Sequence, residues 1–316
     1  MLKAKILDSF FKKENNRLKD LYSLGVEITK KEDPQTKKNK NEPVNKNGFN
    51  FALNIGGFTI GKRQKILITA FLVTIGFIFV TQTINVVFKR YYTILILALI
   101  TYVLSIWSLW QGMTKTKAVM IMILPFFYCL AVPAFYFLFP IRWLTRLPMA
   151  VFFGLSFYWL LLSQNVFNVA SERAIPLYRA ASTVNFVYTI FSSVLLISII
   201  YSLNLPFYLN ALLVVLVTFP LTLQNLWSIT MEKVDLTMLI YASITSLLLG
   251  EMAIALSFWN SAPLVISLYI NALNYAILGI LNEYQRDRLN KKALWEYVQV
   301  GGILFSAIFI ITTFFN

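Results

Sequence analysis

Glu251 is the one charged residue set deep inside a long apolar run, Leu247-Leu248-Leu249-Gly250-Glu251-Met252-Ala253-Ile254. A carboxyl placed in hydrocarbon costs about 2.5–3.5 kcal/mol on insertion scales, so it marks a proton or cation site, or a hydrogen bond that glues two helices. If this run and the next form a hairpin turning about Asn260, Glu251 comes close in depth to Asn271, with Asn274 about a turn deeper. Glu251, Asn271 and Asn274 are therefore a candidate intramembrane polar site.

A second constellation is built from amides. Gln164, Asn165, Asn168 and Glu172 close one apolar run, and Gln224, Asn225, Ser228 and Glu232 close another in nearly the same words. Gln164, Asn168 and Glu172 recur every fourth residue and share one helix face, as do Gln224, Ser228 and Glu232. Asn185 enters the intervening run at a similar depth. Amides both donate and accept hydrogen bonds, which suits a neutral polar solute or a lipid head group. If the two runs face each other, these residues wall a polar vestibule. The competing interpretation is structural: polar residues at a helix end satisfy its last carbonyls.

Catalysis finds little support. The chain has no histidine and a single cysteine, Cys129. That removes Ser-His-Asp and Cys-His schemes, an intrachain disulfide and multi-cysteine zinc sites. No phosphate-binding glycine loop or zinc-protease motif occurs. No catalytic residue, cofactor or metal is assigned, and a non-enzymatic protein is expected.

These residues are positioned by a chain that is 58% hydrophobic and only 13% charged, where soluble domains carry about a quarter charged residues. Mean hydropathy is +0.67. More than half of the charges precede Ile66, and beyond it long apolar runs alternate with short polar gaps. The fold class is thus an all-α polytopic membrane protein. About nine transmembrane helices are expected, near 66–88, 91–111, 118–139, 147–169, 181–203, 206–229, 236–258, 262–283 and 298–315, each close to the ~20 residues a crossing needs.

Before the bundle (66–316) three segments are distinguished. Residues 1–27 have apolar positions at helical spacing with Lys and Arg between them, an amphipathic helix for the membrane surface or the protein's own face. Residues 28–48 are polar and aperiodic, a linker. Residues 49–65 alternate apolar and polar around Gly56-Gly57, an interfacial hairpin or loop. No signal-peptide core is present.

Lys and Arg fall mainly on segments sharing a side with the N-terminus, so the positive-inside rule places that terminus in the cytoplasm and the C-terminus opposite, in the cell membrane. Trp107, Trp110, Trp143, Trp227, Trp259 and Trp295 fall near span ends, as an aromatic belt requires, and Trp159 falls mid-span. The net charge of +14 sits mainly on the tail, where anionic lipid head groups, not nucleic acid, are the expected partner.

The echo extends beyond the amides. Pro148, Pro206 and Pro263 open three runs that close at Asn165, Asn225 and Asn282, and Tyr208-Leu209-Asn210-Ala211-Leu212 resembles Tyr269-Ile270-Asn271-Ala272-Leu273. Tandem two-helix hairpins would produce this pattern, since a hairpin inserts as a unit and copies keep its orientation. So would the limited alphabet of apolar helices. The function expected is transport or binding of a small solute or lipid through a polar interior near Glu251 and the Gln164/Gln224 cluster. The alternative is a membrane scaffold or assembly subunit whose basic tail recruits anionic lipid or a partner protein.

Overall fold

A long apolar run satisfies its own backbone only as a helix. The computed structural model describes residues 61–83, 87–111, 113–138, 143–170, 177–231 and 234–314. The chain divides into two units, 1–51 and 52–316, and every described residue belongs to the second. Among the described residues there are nine helices and no strand: α1 (Lys62–Thr83), α2 (Val87–Leu109), α3 (Lys115–Tyr136), α4 (Trp143–Ala170), α5 (Tyr178–Ser202), α6 (Phe207–Thr230), α7 (Leu236–Leu256), α8 (Pro263–Gln285) and α9 (Lys291–Phe314). Each holds a stretch long and apolar enough to cross a membrane. The expected surface helix 1–27, the linker 28–48 and residues 49–60 of the next segment lie outside the described residues, as do Glu172 and Glu232.

Several boundaries differ from expectation: α1 closes at Thr83 and not near 88, α2 opens at Val87 and not near 91, and α4 opens at Trp143 and not near 147. Lys62 to Lys65, placed in the 49–65 loop by their charge, form the first turn of α1, where the Gly61 N–H donates to Gln64 Oε1 at 2.9 Å. The ninth helix begins at Lys291 and not near 298. Asn290 Oδ1 accepts from the Ala293 N–H at 2.7 Å, an N-cap bond that starts the helix ahead of its apolar portion.

The helix ends alternate. At one end of the bundle Lys62, opening α1, reaches the Gln111 carbonyl just after α2. There Asn168 near the close of α4 also meets the α2 terminus, and Tyr178 at the start of α5 meets the close of α6. At the other end Arg146, opening α4, donates to the Thr81 carbonyl closing α1 at 3.1 Å, and Tyr201 near the close of α5 donates to the Ala253 carbonyl of α7 at 2.6 Å.

Packing divides the helices around α5. On one side α1–α4 share a core in which Phe77, Phe153, Phe157 and Tyr128 stack in series. Here α1 and α4 come so close that a Cβ at Gly154 would lie 2.6 Å from the Thr74 hydroxyl. On the other side Val214, Leu249, Ala253, Tyr269 and Ile270 join α6, α7 and α8 to Ile197 and Tyr201 of α5. Small residues let helices without a hydrophobic driving force approach this way. α5 packs on α3, α4, α6 and α8, whereas α9 packs on α8 and is otherwise largely exposed. Trp227 of α6, expected in an aromatic belt, is fully buried in the same core as Phe77 and Tyr128, whereas Trp159 faces outward. Depth along a helix follows from the sequence; the side it presents is set by packing.

Candidate functional site

Three helices meet through one asparagine. Gln164 of α4 and Gln224 of α6 each donate from Nε2 to Asn185 Oδ1 of α5, both at 2.9 Å. Asn185 Nδ2 donates in return to Gln224 Oε1 at 3.4 Å and Ser228 Oγ at 3.2 Å. All four side chains are 0% exposed. α4 and α6 do not pack extensively on one another among the described residues; α5 lies against both. The facing pair on which a vestibule depended is thus replaced by a bridge, because the interposed helix supplies a side chain that accepts twice and donates twice.

The rest of the cluster ties this bridge to the helix ends. Asn168, one turn beyond Gln164, donates from Nδ2 to the carbonyls of Leu109 and Gln111 at 2.8 and 3.1 Å, satisfying the end of α2. Ser228 Oγ donates to the Asn225 carbonyl at 2.7 Å, and Tyr178 OH donates to the Ser228 and Ile229 carbonyls. Ser163 Oγ donates to the Ala181 carbonyl at 3.2 Å. Tyr178 is a member that the sequence does not announce: a tyrosine at a span end reads as a belt residue.

Not every atom of the cluster is satisfied. Gln164 Oε1, Asn165 Oδ1, Asn168 Oδ1 and Asn225 Oδ1 are buried acceptors with no partner among the described residues. All four lack a donor, so what they could hold is an N–H, an O–H or a water, never an acceptor-only group. Amides do not titrate near neutrality.

Glu251 stands apart from both amide groups. It is exposed and makes no hydrogen bond or ion pair among the described residues. The expected bond to Asn271 is not formed: Asn271 Nδ2 donates to the Ser267 carbonyl at 2.9 Å, and Asn274 Nδ2 donates to Asn271 Oδ1 at 3.3 Å. Asn271 and Asn274 are buried, and they serve α8 itself. The cause is rotation. α7 turns Ala242, Thr245, Ser246, Leu249, Gly250 and Ala253 inward, with Gly250 pressed on Val215 of α6. At about 100° per residue, Glu251 lies roughly 200° round from Leu249. Its outward neighbours are Ile240, Ile244, Leu247, Leu248, Ile254 and Phe258, all exposed.

Fold and site together define, among the described residues, an all-helical bundle whose nine helices are each long and apolar enough to cross a membrane, joined at one end by a buried amide cluster. Residues 109–311 match the family described as protein of unknown function DUF5656, and the chain belongs to that family. The match takes in α3–α8 whole and most of α9, hence every amide of the bridge and Glu251. No curated protein and no solved structure matches the chain.

Proposed function

We propose that this chain is a membrane-embedded assembly subunit: a helical bundle, N-terminus in the cytoplasm, that presents the outward face of α7 to a membrane helix of another protein. The observation that carries this is Glu251. It is turned away from the chain's own polar groups, on a face otherwise made of Ile, Leu and Phe. Against lipid such a carboxyl is costly. Against a partner helix bearing Lys, Arg, Asn or Gln at the same depth it forms an interhelical bond, and such bonds contribute about 1–2 kcal/mol in model systems. Transport through a polar interior running from the amides to Glu251 is less well supported, since the amides are buried against each other and Glu251 faces the opposite way.

The test places a photo-crosslinking residue at Leu247 or Ile254, flanking Glu251, in the full chain in its native membrane. The expected result is one adduct whose partner peptide maps to a membrane-spanning helix with a basic or amide side chain at the contact. Glu251→Leu should reduce its yield about fivefold, from the loss of roughly 1 kcal/mol, and Glu251→Gln should retain most of it. An adduct of equal yield in Glu251→Leu, or a partner helix without a donor there, sinks the proposal.

A second reading has its own support. The four buried acceptors without donors suit a small solute rich in N–H or O–H groups, held among Gln164, Asn165, Asn168 and Asn225.

A further inference from the structure

The end of the bundle that carries the amide bridge also carries a cavity of about 230 Å³, lined by Tyr178, Arg179, Ile229, Gln285, Arg286 and Arg288. We infer that this cavity binds a phosphate ester, specifically the phosphate of a lipid head group or of a small polyol phosphate. The sequence gives no warning of it, because Arg179 and the Arg286–Arg288 pair are brought together only by the packing of α5 against α8.

Local structure builds the cavity from three helix ends. α8 stops at Gln285, and Asp287 adopts a left-handed backbone (φ 53°), so that the Arg288 N–H closes back on the Glu283 carbonyl at 3.0 Å. That turn, a common way to satisfy the last carbonyls of a helix, presents Arg286 and Arg288 on the cavity wall. α6 ends in a second left-handed residue, Met231 (φ 53°), which leaves Ile229 on the opposite wall. α5 begins beside them. The positive end of the α5 dipole lies at this helix start and favours an anion beside it. Tyr178 is held by its bonds to the Ser228 and Ile229 carbonyls and serves as wall.

Three guanidinium groups line a small space, and among the described residues one ion pair reaches them, Glu283 Oε1 lying 3.9 Å from Arg286 Nη1. Arg286 is positioned from behind, its Nη2 donating to Ser182 Oγ at 2.6 Å. Arg179 and Arg288 are exposed. Guanidinium forks match phosphate oxygens in number and plane. The lining also has one acceptor that wants a donor: Gln285 Oε1 is buried and has no partner among the described residues. A phosphate ester with a neighbouring hydroxyl or ammonium group meets both demands; sulfate, which carries no donor, meets only the first. The volume lies below the ~300–1,000 Å³ of most small-molecule pockets, which favours a head group over a nucleotide. With the orientation proposed above, the site opens toward the leaflet that carries anionic lipid. It does not involve Glu251 and stands or falls separately from the assembly proposal.

The full chain in nanodiscs of phosphatidylcholine, with or without a small fraction of phosphatidylglycerol, provides the test. Native mass spectrometry reads retained lipid, and a thermal shift reads binding of added glycerol 3-phosphate. The variant is Arg179→Gln with Arg288→Gln, chosen because both side chains are exposed and neither holds the fold. Retention of phosphatidylglycerol that falls about tenfold or more in the variant, without response to glycerol 3-phosphate, establishes a lipid site. A shift with glycerol 3-phosphate in pure phosphatidylcholine discs, lost in the variant, establishes a soluble phosphate ester as the ligand. Equal retention and equal shift in both proteins, with the basic tail accounting for any lipid held, or no binding of either probe, overturns the inference.

Discussion

The ends of α4 and α6 use nearly the same residues to different effect. Gln164 and Gln224 are equivalent in position, and each donates to Asn185 Oδ1 at 2.9 Å. One turn on, they part. Asn168 leaves the bridge and bonds the terminus of α2, whereas its counterpart Ser228 stays within it and receives Asn185 Nδ2. The α4 copy therefore ties the bridge to the helices on its own side, and the α6 copy completes the bridge. The earlier halves of the echo diverge as well: Tyr208 is exposed, and Tyr269 is buried with its hydroxyl 3.1 Å from Thr312 Oγ1. A shared sequence pattern sets the depth of a polar side chain, and the neighbouring helix decides its job.

The most damaging way to break this comparison is at the shared partner. Asn185→Leu strands two buried amide donors and the Gln224 acceptor at once. Each buried polar group left unsatisfied costs about 1–3 kcal/mol, tempered by the weak average of interhelical bonds in membranes. The expected loss is about 2–4 kcal/mol in reversible unfolding of the detergent-solubilised chain. A loss below about 0.5 kcal/mol would show that the bridge does not hold α4, α5 and α6 together.

A finer test asks whether the two copies are equal. Gln224→Leu removes a donor to Asn185 and an acceptor from it; Gln164→Leu removes only a donor. Gln224→Leu should therefore be the more destabilising by about 0.5–1 kcal/mol. In a double-mutant cycle with Asn168→Leu, Gln164→Leu should be close to additive, because Asn168 serves α2 and not the bridge. Equal losses at Gln164 and Gln224 would make the copies interchangeable and remove the asymmetry drawn above.

Much of this molecule was legible before its structure. The number of helices among the described residues follows from the ~20-residue crossing length, and the face holding Gln164 and Asn168 follows from their fourfold spacing. What failed were questions of rotation and neighbour. Folding the α7–α8 hairpin about Asn260 says nothing of the azimuth of Glu251, which Gly250 sets by packing on Val215. Trp227 at a span end read as a belt residue, yet it faces the core. Asn185 was placed at the right level without its role, because nothing in the sequence says that α5 runs between α4 and α6. The meeting of Arg179 with Arg286 and Arg288 was not legible, since each sits in a short loop or helix start that is ordinary by itself.

The smallest effect is expected at the third matched pair, and it separates structure from binding. Asn165 is half-buried and Asn225 buried, and the Oδ1 of each is without a donor among the described residues. An acceptor that bonds nothing gives up nothing on removal, so Asn225→Leu should fall within about 0.5 kcal/mol of the parent, or above it, if the cluster serves only to join helices. A loss of about 1 kcal/mol or more, in a chain whose α4–α5–α6 bridge is intact by the Gln164 and Gln224 measurements, would mean that a donor occupies the site. It would shift the balance from an assembly subunit toward a solute binder. Asn225 rather than Asn165 is the position to change, because burial denies it the water that would otherwise conceal the difference.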